Sequence, residues 1–187
     1  MKRVVDIMGA IIILLAFSWL ILLVILTYFL TLNGPAFFHQ SRIGLGGKPF
    51  IIWKFRTLSI QDSLDSNRRR FMLGDLLRAS SIDELPQLIN VIRGEMSLVG
   101  PRPLPMEYLQ FIRTEEKIRQ TIRPGITGMT QVSGRHTLSW RKKFEMDAKY
   151  VDGISFWLDF KILMKTMVVI LSFKKDISLQ EKPLRGE

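Results

Sequence analysis

Residues 81–86, Ser81-Ile82-Asp83-Glu84-Leu85-Pro86, set two carboxylates side by side where a helix is about to begin. One reading makes the stretch an S-x-x-E capping box, with the Ser81 hydroxyl on the first free amides and Glu84 reaching back. Asp83 then only complements the helix dipole. Pro86 favours another reading. In a helix begun at Ile82 it lacks the amide that would bond the Ile82 carbonyl, whereas a helix begun at Pro86 leaves Asp83 and Glu84 in the preceding turn. Both readings put the pair at a helix N-terminus, which lowers a carboxylate pKa and attracts phosphate. An ionised Asp83 so placed could attack phosphorus and form an acyl phosphate. Two carboxylates repel a phosphorylated substrate, so such a site needs Mg²⁺ and arginines to neutralise charge.

Arginines in stiff settings follow. Arg102 lies between prolines in Gly100-Pro101-Arg102-Pro103, Arg123 precedes Pro124-Gly125, and Arg135 follows Ser133-Gly134. Guanidinium forks suit bidentate phosphate binding, and proline-bound loops lose little entropy when a ligand orders them. Taken singly, each reads as a surface arginine. The chain has no cysteine, which excludes a thiolate metal site, a Cys nucleophile and a disulfide scaffold.

The elements that must position these groups belong to a chain of 187 residues with net charge +10 and 47% hydrophobic content. That length suits one domain with an appendage, and that charge calls for an anionic partner: nucleic acid, anionic lipid or a phosphorylated substrate. The apolar residues are concentrated at the start. No Asp, Glu, Lys or Arg occurs between Ile7 and Ser41, and residues 7–32 are almost wholly apolar. As a straight helix they reach about 39 Å, enough to cross a bilayer core of roughly 30 Å. Positive charge flanks both ends, Lys2 and Arg3 before, Arg42, Lys48, Lys54 and Arg56 after. Since positive charge prefers the cytoplasmic side, either the helix re-enters on the face it left or it makes a simple span. Only Ser18 and Thr27, by bonding back to an i−4 carbonyl, offer a bend within the segment.

Residues 37–42 and 50–56 are short β-type runs around Gly44-Leu45-Gly46-Gly47-Lys48-Pro49, a hairpin with a glycine loop. Residues 59–70 read as a polar loop, 71–78 as a short helix and 82–93 as a second helical stretch. Residues 104–120 are amphipathic, with Tyr108, Phe111, Ile112 and Ile118 opposite Glu115, Glu116, Lys117 and Arg119. Residues 126–132 are glycine-punctuated, strand or loop. Residues 154–173 form a long apolar helix opening with Phe156 and Trp157, suited either to the membrane interface or to an ordinary core. A nucleic-acid partner is disfavoured: three consecutive arginines, Arg68 to Arg70, lack interleaved aromatics, and no helix-turn-helix or zinc pattern is present.

Taken together, Lys54-Phe55-Arg56-Thr57, Ser81 to Leu88, Gly94 to Leu104, Arg123-Pro124-Gly125-Ile126-Thr127-Gly128 and Gln131 to Arg135 resemble the bacterial sugar transferase family, in particular its small monotopic polyprenyl-phosphate phosphoglycosyl transferases. The resemblance implies transfer of a sugar 1-phosphate from a UDP-sugar to undecaprenyl phosphate with Mg²⁺ and release of UMP. Asp83 matches the family nucleophile, which would carry the phosphosugar covalently and touch the metal. Glu84 matches its dyad partner, and Arg78, Arg102 and Arg135 match positions that bind phosphate or order the site. Arg56 and Asp147 match further functional positions, as do Lys54 and Arg123, the last two open to a structural reading. The implied fold is mainly α with a small β-hairpin (α+β). Residues 1–32 would form a re-entrant membrane helix and residues 33–187 a compact cytoplasmic catalytic domain with interfacial amphipathic helices on anionic lipid of the bacterial inner membrane. This chain carries Ser18-Trp19 where many members have Ser-Pro at the bend. No motif specifies the sugar or the oligomeric state. The competing class, a non-catalytic membrane-anchored basic binding protein, explains the charge and the apolar segment but not the Asp83-Glu84 pair.

Overall fold

The structure is a computed structural model that describes residues 1–31, 34–60, 69–134, 138–172 and 184. The apolar N-terminus forms two helices, α1 (Lys2–Ala16) and α2 (Ser18–Thr31). They are bent by 58° at Phe17, whose φ of −104° and ψ of 11° leave the helical region. The Ser18 hydroxyl donates to the Leu15 carbonyl at 2.8 Å. It thus takes up an acceptor that a continuous helix would give to an amide. The back-bond spans i−3, not the expected i−4. Thr27 makes the i−4 bond, to Leu23 at 2.8 Å, and α2 runs through it unbroken. Among the described residues no single helix is long and apolar enough to cross a membrane, though the bent pair together is.

The helix α1 is pinned to the rest of the chain by the three charged residues of its first two turns. Lys2 bonds the Val99 carbonyl (3.1 Å) and Asp159 (2.5 Å), and Arg3 bonds the Met96 and Val91 carbonyls. Asp6, buried, accepts from the Ser97 hydroxyl at 2.7 Å and the Leu98 amide at 3.2 Å. Ala10 is fully buried in a core shared with Val91, Met96, Leu98, Tyr150 and Ile162. At the other end of the pair, Val24 and Tyr28 pack on Phe55 and Leu77, and the Tyr28 hydroxyl donates to the Arg56 carbonyl. Both ends of the apolar pair are therefore held by the same body. The outward faces of these helices expose Leu15, Trp19, Leu22 and Phe29.

Strands β1 (Phe37–Ile43) and β2 (Pro49–Phe55) pair antiparallel from Phe37↔Phe55 to Ile43↔Pro49, as the two β-type runs around a glycine loop predict. Gly46 and Gly47 take φ of 65° and 77° in the turn, which favours glycine. Next come α3 (Met72–Ala79) and α4 (Gln87–Arg93). The single helical stretch expected over 82–93 is broken in two, a 3-10 turn at Ile82–Glu84 followed by α4. The amphipathic stretch 104–120 is likewise two 3-10 turns, Met106–Phe111 and Glu115–Gln120.

A second sheet extends the expected fold class. Strands β3 (Ser97–Val99) and β4 (Gly125–Thr127) pair parallel, Ser97↔Gly125 and Val99↔Thr127. A short α5 (Met129–Val132), α6 (Trp140–Asp152) and α7 (Phe156–Leu171) follow. The architecture is mixed, 59% helical with small sheets. In α7, Ile162 faces the core while Phe156, Trp157, Val168 and Leu171 are exposed. The polar loop expected over 59–70 lies largely outside the described residues.

Candidate active site

Asp83 and Glu84 sit in the 3-10 turn, ahead of α4, as the reading with Pro86 at the helix start requires. The capping box does not form. Ser81 adopts φ 58°, the only positive φ outside glycine among the described residues, and its side chain caps nothing. That left-handed residue costs of order 1–3 kcal/mol and turns the chain sharply into the dyad. Its amide bonds the Arg78 carbonyl at 3.2 Å, which ties the turn to the end of α3.

The pair lies in a cleft of about 1290 Å³. Asp83 is 7% exposed. Glu84 accepts from Lys54 at 2.5 Å and faces Arg102 at 3.4 Å. Lys54, on β2, thereby joins hairpin to dyad. Arg78, on α3, donates to the Thr57 hydroxyl at 2.7 Å. Arg56 bonds the Pro35 carbonyl at 2.8 Å and lies over the Tyr28 and Phe71 rings. Among the described residues, eight cationic side chains and three carboxylates line the cleft, an imbalance that favours a polyanion.

Burial pushes the Asp83 carboxyl up to about 6, only partly countered by Lys54, and Glu84 raises it further. The helix N-terminus was expected to lower it. Desolvation wins because the turn shuts the carboxylate away from water, and α4 is short. A carboxyl at about 6 is still mostly ionised at neutral pH and more basic than an ordinary aspartate.

Asp147, on α6, is 3% exposed and accepts from Arg119 Nε at 2.9 Å. Burial raises its carboxyl, with Arg119 the main opposing influence. Arg119 also donates to the Arg102 carbonyl at 2.6 Å. Asp147 thus reaches the dyad region through two arginines, orienting the backbone that carries Arg102. Arg119 was read as part of the polar face of 104–120. It is 6% exposed and stacks over Phe144. Nothing in its sequence setting, between Ile118 and Gln120 on a charged stretch, marks it as buried. Arg123 stands outside the cleft, bonding the Gly94 carbonyl at 2.7 Å. Asp83, Glu84, Arg56, Arg78, Arg102 and Asp147 all line the cleft, whereas Arg135 lies outside the described residues.

Close backbone approach explains the glycines around Arg102. A Cβ on Gly100 would lie 2.6 Å from the Arg123 carbonyl and 2.9 Å from the Gly125 amide nitrogen. The Gly100 amide bonds the Thr127 carbonyl, and the Gly125 amide bonds that of Pro101, both at 2.9 Å. The two motifs, 94–104 and 123–128, are in this sense one structure: the parallel pair that aims the Pro101-Arg102-Pro103 loop at the dyad.

A carboxylate pair in a cleft whose cations outnumber its carboxylates, on a body pinned to an apolar helix pair, suits an enzyme that acts on a polyanion. The chain belongs to the bacterial sugar transferase family, whose model matches residues 1–173. It is 46% identical over 176 residues to the uncharacterized sugar transferase EpsL of Bacillus subtilis (strain 168), covering 91% of this chain and 87% of that one. It is 40% identical to a UDP-glucose:undecaprenyl-phosphate glucose-1-phosphate transferase of Caulobacter vibrioides, covering 91% and 70% respectively. A protein of the same name from Klebsiella pneumoniae is 36% identical, with 89% of this chain matching 39% of that one.

Proposed function

We propose that the chain transfers a sugar 1-phosphate from a UDP-sugar to undecaprenyl phosphate, releasing UMP, on the cytoplasmic face of the bacterial inner membrane. The observation that carries this reading is the buried, ionisable Asp83 in a cleft whose cations outnumber its carboxylates. The names of the Caulobacter and Klebsiella relatives support the substrate classes.

In the first half-reaction a carboxylate oxygen of Asp83 attacks the β-phosphorus of the donor. The new P–O bond forms as the bond to the bridging oxygen breaks, and that electron pair leaves with UMP. In the second, a phosphate oxygen of the acceptor attacks the same phosphorus, and Asp83 departs as a carboxylate. Glu84, held between Lys54 and Arg102, accepts a proton from the acceptor phosphate when that group arrives protonated. Arg78, Arg102 and Arg135 bind the diphosphate charge, Arg56 supports the mouth of the cleft, and Asp147 acts through Arg119. No group of three or more His, Asp or Glu residues gathers among the described residues. With a single carboxylate to offer, Asp83 would hold Mg²⁺ as a loosely caged ion, as that metal accepts. Bound there, the ion would neutralise charge on the transferring phosphoryl group.

The apolar helix pair enters the bilayer and returns, a reading supported by Lys2, Arg3 and Asp6 at its start and Tyr28 near its end, all fastened to one body. Exposed Phe156, Trp157 and Phe160 on α7, with Lys161 and Lys165 on the same helix, suit an anionic lipid surface.

The test is UMP release by purified protein with Mg²⁺, undecaprenyl phosphate and a panel of UDP-sugars. Wild-type protein should release UMP with at least one donor, and Asp83→Asn should lower the rate at least a thousandfold. Full activity of that variant would remove Asp83 as nucleophile.

A further inference from the structure

The transfer chemistry leaves one end of the cleft unused. Arg42 at the end of β1, Tyr108 after Pro105, and Trp140, Lys143 and Phe144 on α6 line it, close to Arg102. The Tyr108 and Trp140 rings meet edge to face with centroids 5.6 Å apart, and the Lys143 ammonium lies 4.2 Å from the Trp140 ring centre.

Arg42 differs from its neighbours. Lys54 and Arg102 face Glu84, and Arg119 faces Asp147. Arg42 reaches neutral oxygens, the Pro103 carbonyl at 3.3 Å and Gln40 Oε1 at 2.6 Å. Its Nε is buried with no acceptor among the described residues. Burial, with Arg102 beside it, disfavours the charged form of Arg42, and Glu84 and Glu107 only partly oppose this. A cation in that position is under-neutralised, and an anion entering the cleft would relieve both the orphaned donor and the like-charge neighbour.

The position of this end separates the two substrates. Its hydrophobic cluster, Ile43, Leu104, Ile112, Phe144 and Leu184, contains no residue of α1, α2 or α7. Elsewhere the cleft is lined by Ile13 and Phe17 of the apolar pair and by Met167 and Leu171 of α7. That greasy side suits a lipid-linked acceptor, and the other end suits the water-soluble donor.

We propose that this end holds the nucleoside monophosphate half of the donor, with Arg42 pairing to its phosphate and the Tyr108–Trp140 rings receiving the base. Aromatic faces take a base by stacking, and a guanidinium fork matches a phosphate bidentately. The assignment rests on the transfer reaction above, and adds to it the site from which UMP departs.

The experiment compares wild type with Arg42→Lys and Trp140→Leu, measuring KM for UDP-sugar, KM for undecaprenyl phosphate and inhibition by UMP. Arg42→Lys keeps the charge but loses the fork. Both variants should raise the donor KM and the UMP inhibition constant at least tenfold and leave the acceptor KM within twofold. Should Arg42→Lys fail to fold, Trp140→Leu, on the half-exposed start of α6, carries the same measurements. Unchanged UMP inhibition in the folded variants overturns the assignment, and so does a rise confined to the acceptor KM. A wild-type protein that releases no UMP from any donor defeats the transfer reading itself, a result separate from either of these.

Discussion

The proposed attack on phosphorus needs Asp83 ionised, yet burial raises its carboxyl from 3.8 to about 6. The two demands make the residue a stability liability. Below pH 3.8 it is protonated both folded and unfolded and contributes nothing. As pH rises toward 6 the unfolded chain ionises first, so stability falls; above that range the cost is complete, on the order of 2–3 kcal/mol. Asp83→Asn removes the charge. Measured in EDTA, its thermal midpoint should exceed that of wild type by several degrees at pH 8, and the gap should close at pH 4. A gap independent of pH would mean that Asp83 is not perturbed by burial. The residue type and its neighbour Glu84 were legible in the sequence. The direction of the pKa shift was not, because it depends on how completely the turn excludes water.

Among elements, the hairpin was readable to within a residue, since short β-type runs and a glycine loop are local signals. The β3–β4 pair was not. Each strand is three residues long, and the partners are separated in sequence by two 3-10 turns. Nothing local marks such a strand, and its register is set by tertiary contact. The pair nonetheless aims Arg102. Gly100→Ala should drive a methyl into the Arg123 carbonyl and the Gly125 amide, backbone atoms that cannot move aside alone. We expect a loss of about 1–3 kcal/mol in stability and at least a tenfold fall in UMP release, read by thermal unfolding and turnover. Wild-type turnover in that variant would detach the parallel pair from the site. Arg119 makes the same point in another form: a charged neighbourhood looked solvated, and folding buried this one guanidinium against Asp147 and the Arg102 carbonyl.

Over the whole molecule, the apolar pair is a part of the body as much as an attachment to it. Asp6 satisfies the Ser97 hydroxyl and the Leu98 amide in β3, the strand that leads into the Arg102 loop. The protein has no cysteine, so single cysteines report topology without background. One appended before Met1 and one replacing Lys48 in the hairpin turn should be labelled from the same side of the membrane. Labelling from opposite sides would make the pair a full span and leave the chemistry untouched.

The sequence alone determined the chemistry available: two adjacent carboxylates, arginines braced by proline and glycine, a charge-free apolar stretch after Asp6 and no thiol. Those are properties of residue type and spacing, which exist before folding. Tertiary structure decided which of them meet. It drew Lys54 from the hairpin to Glu84, set Arg119 between Asp147 and Arg102, left Arg123 outside the cleft, and put Ser18 to work on the Leu15 carbonyl at the bend. Burial and long-range pairing are collective outcomes of packing, and no window of a few residues contains them.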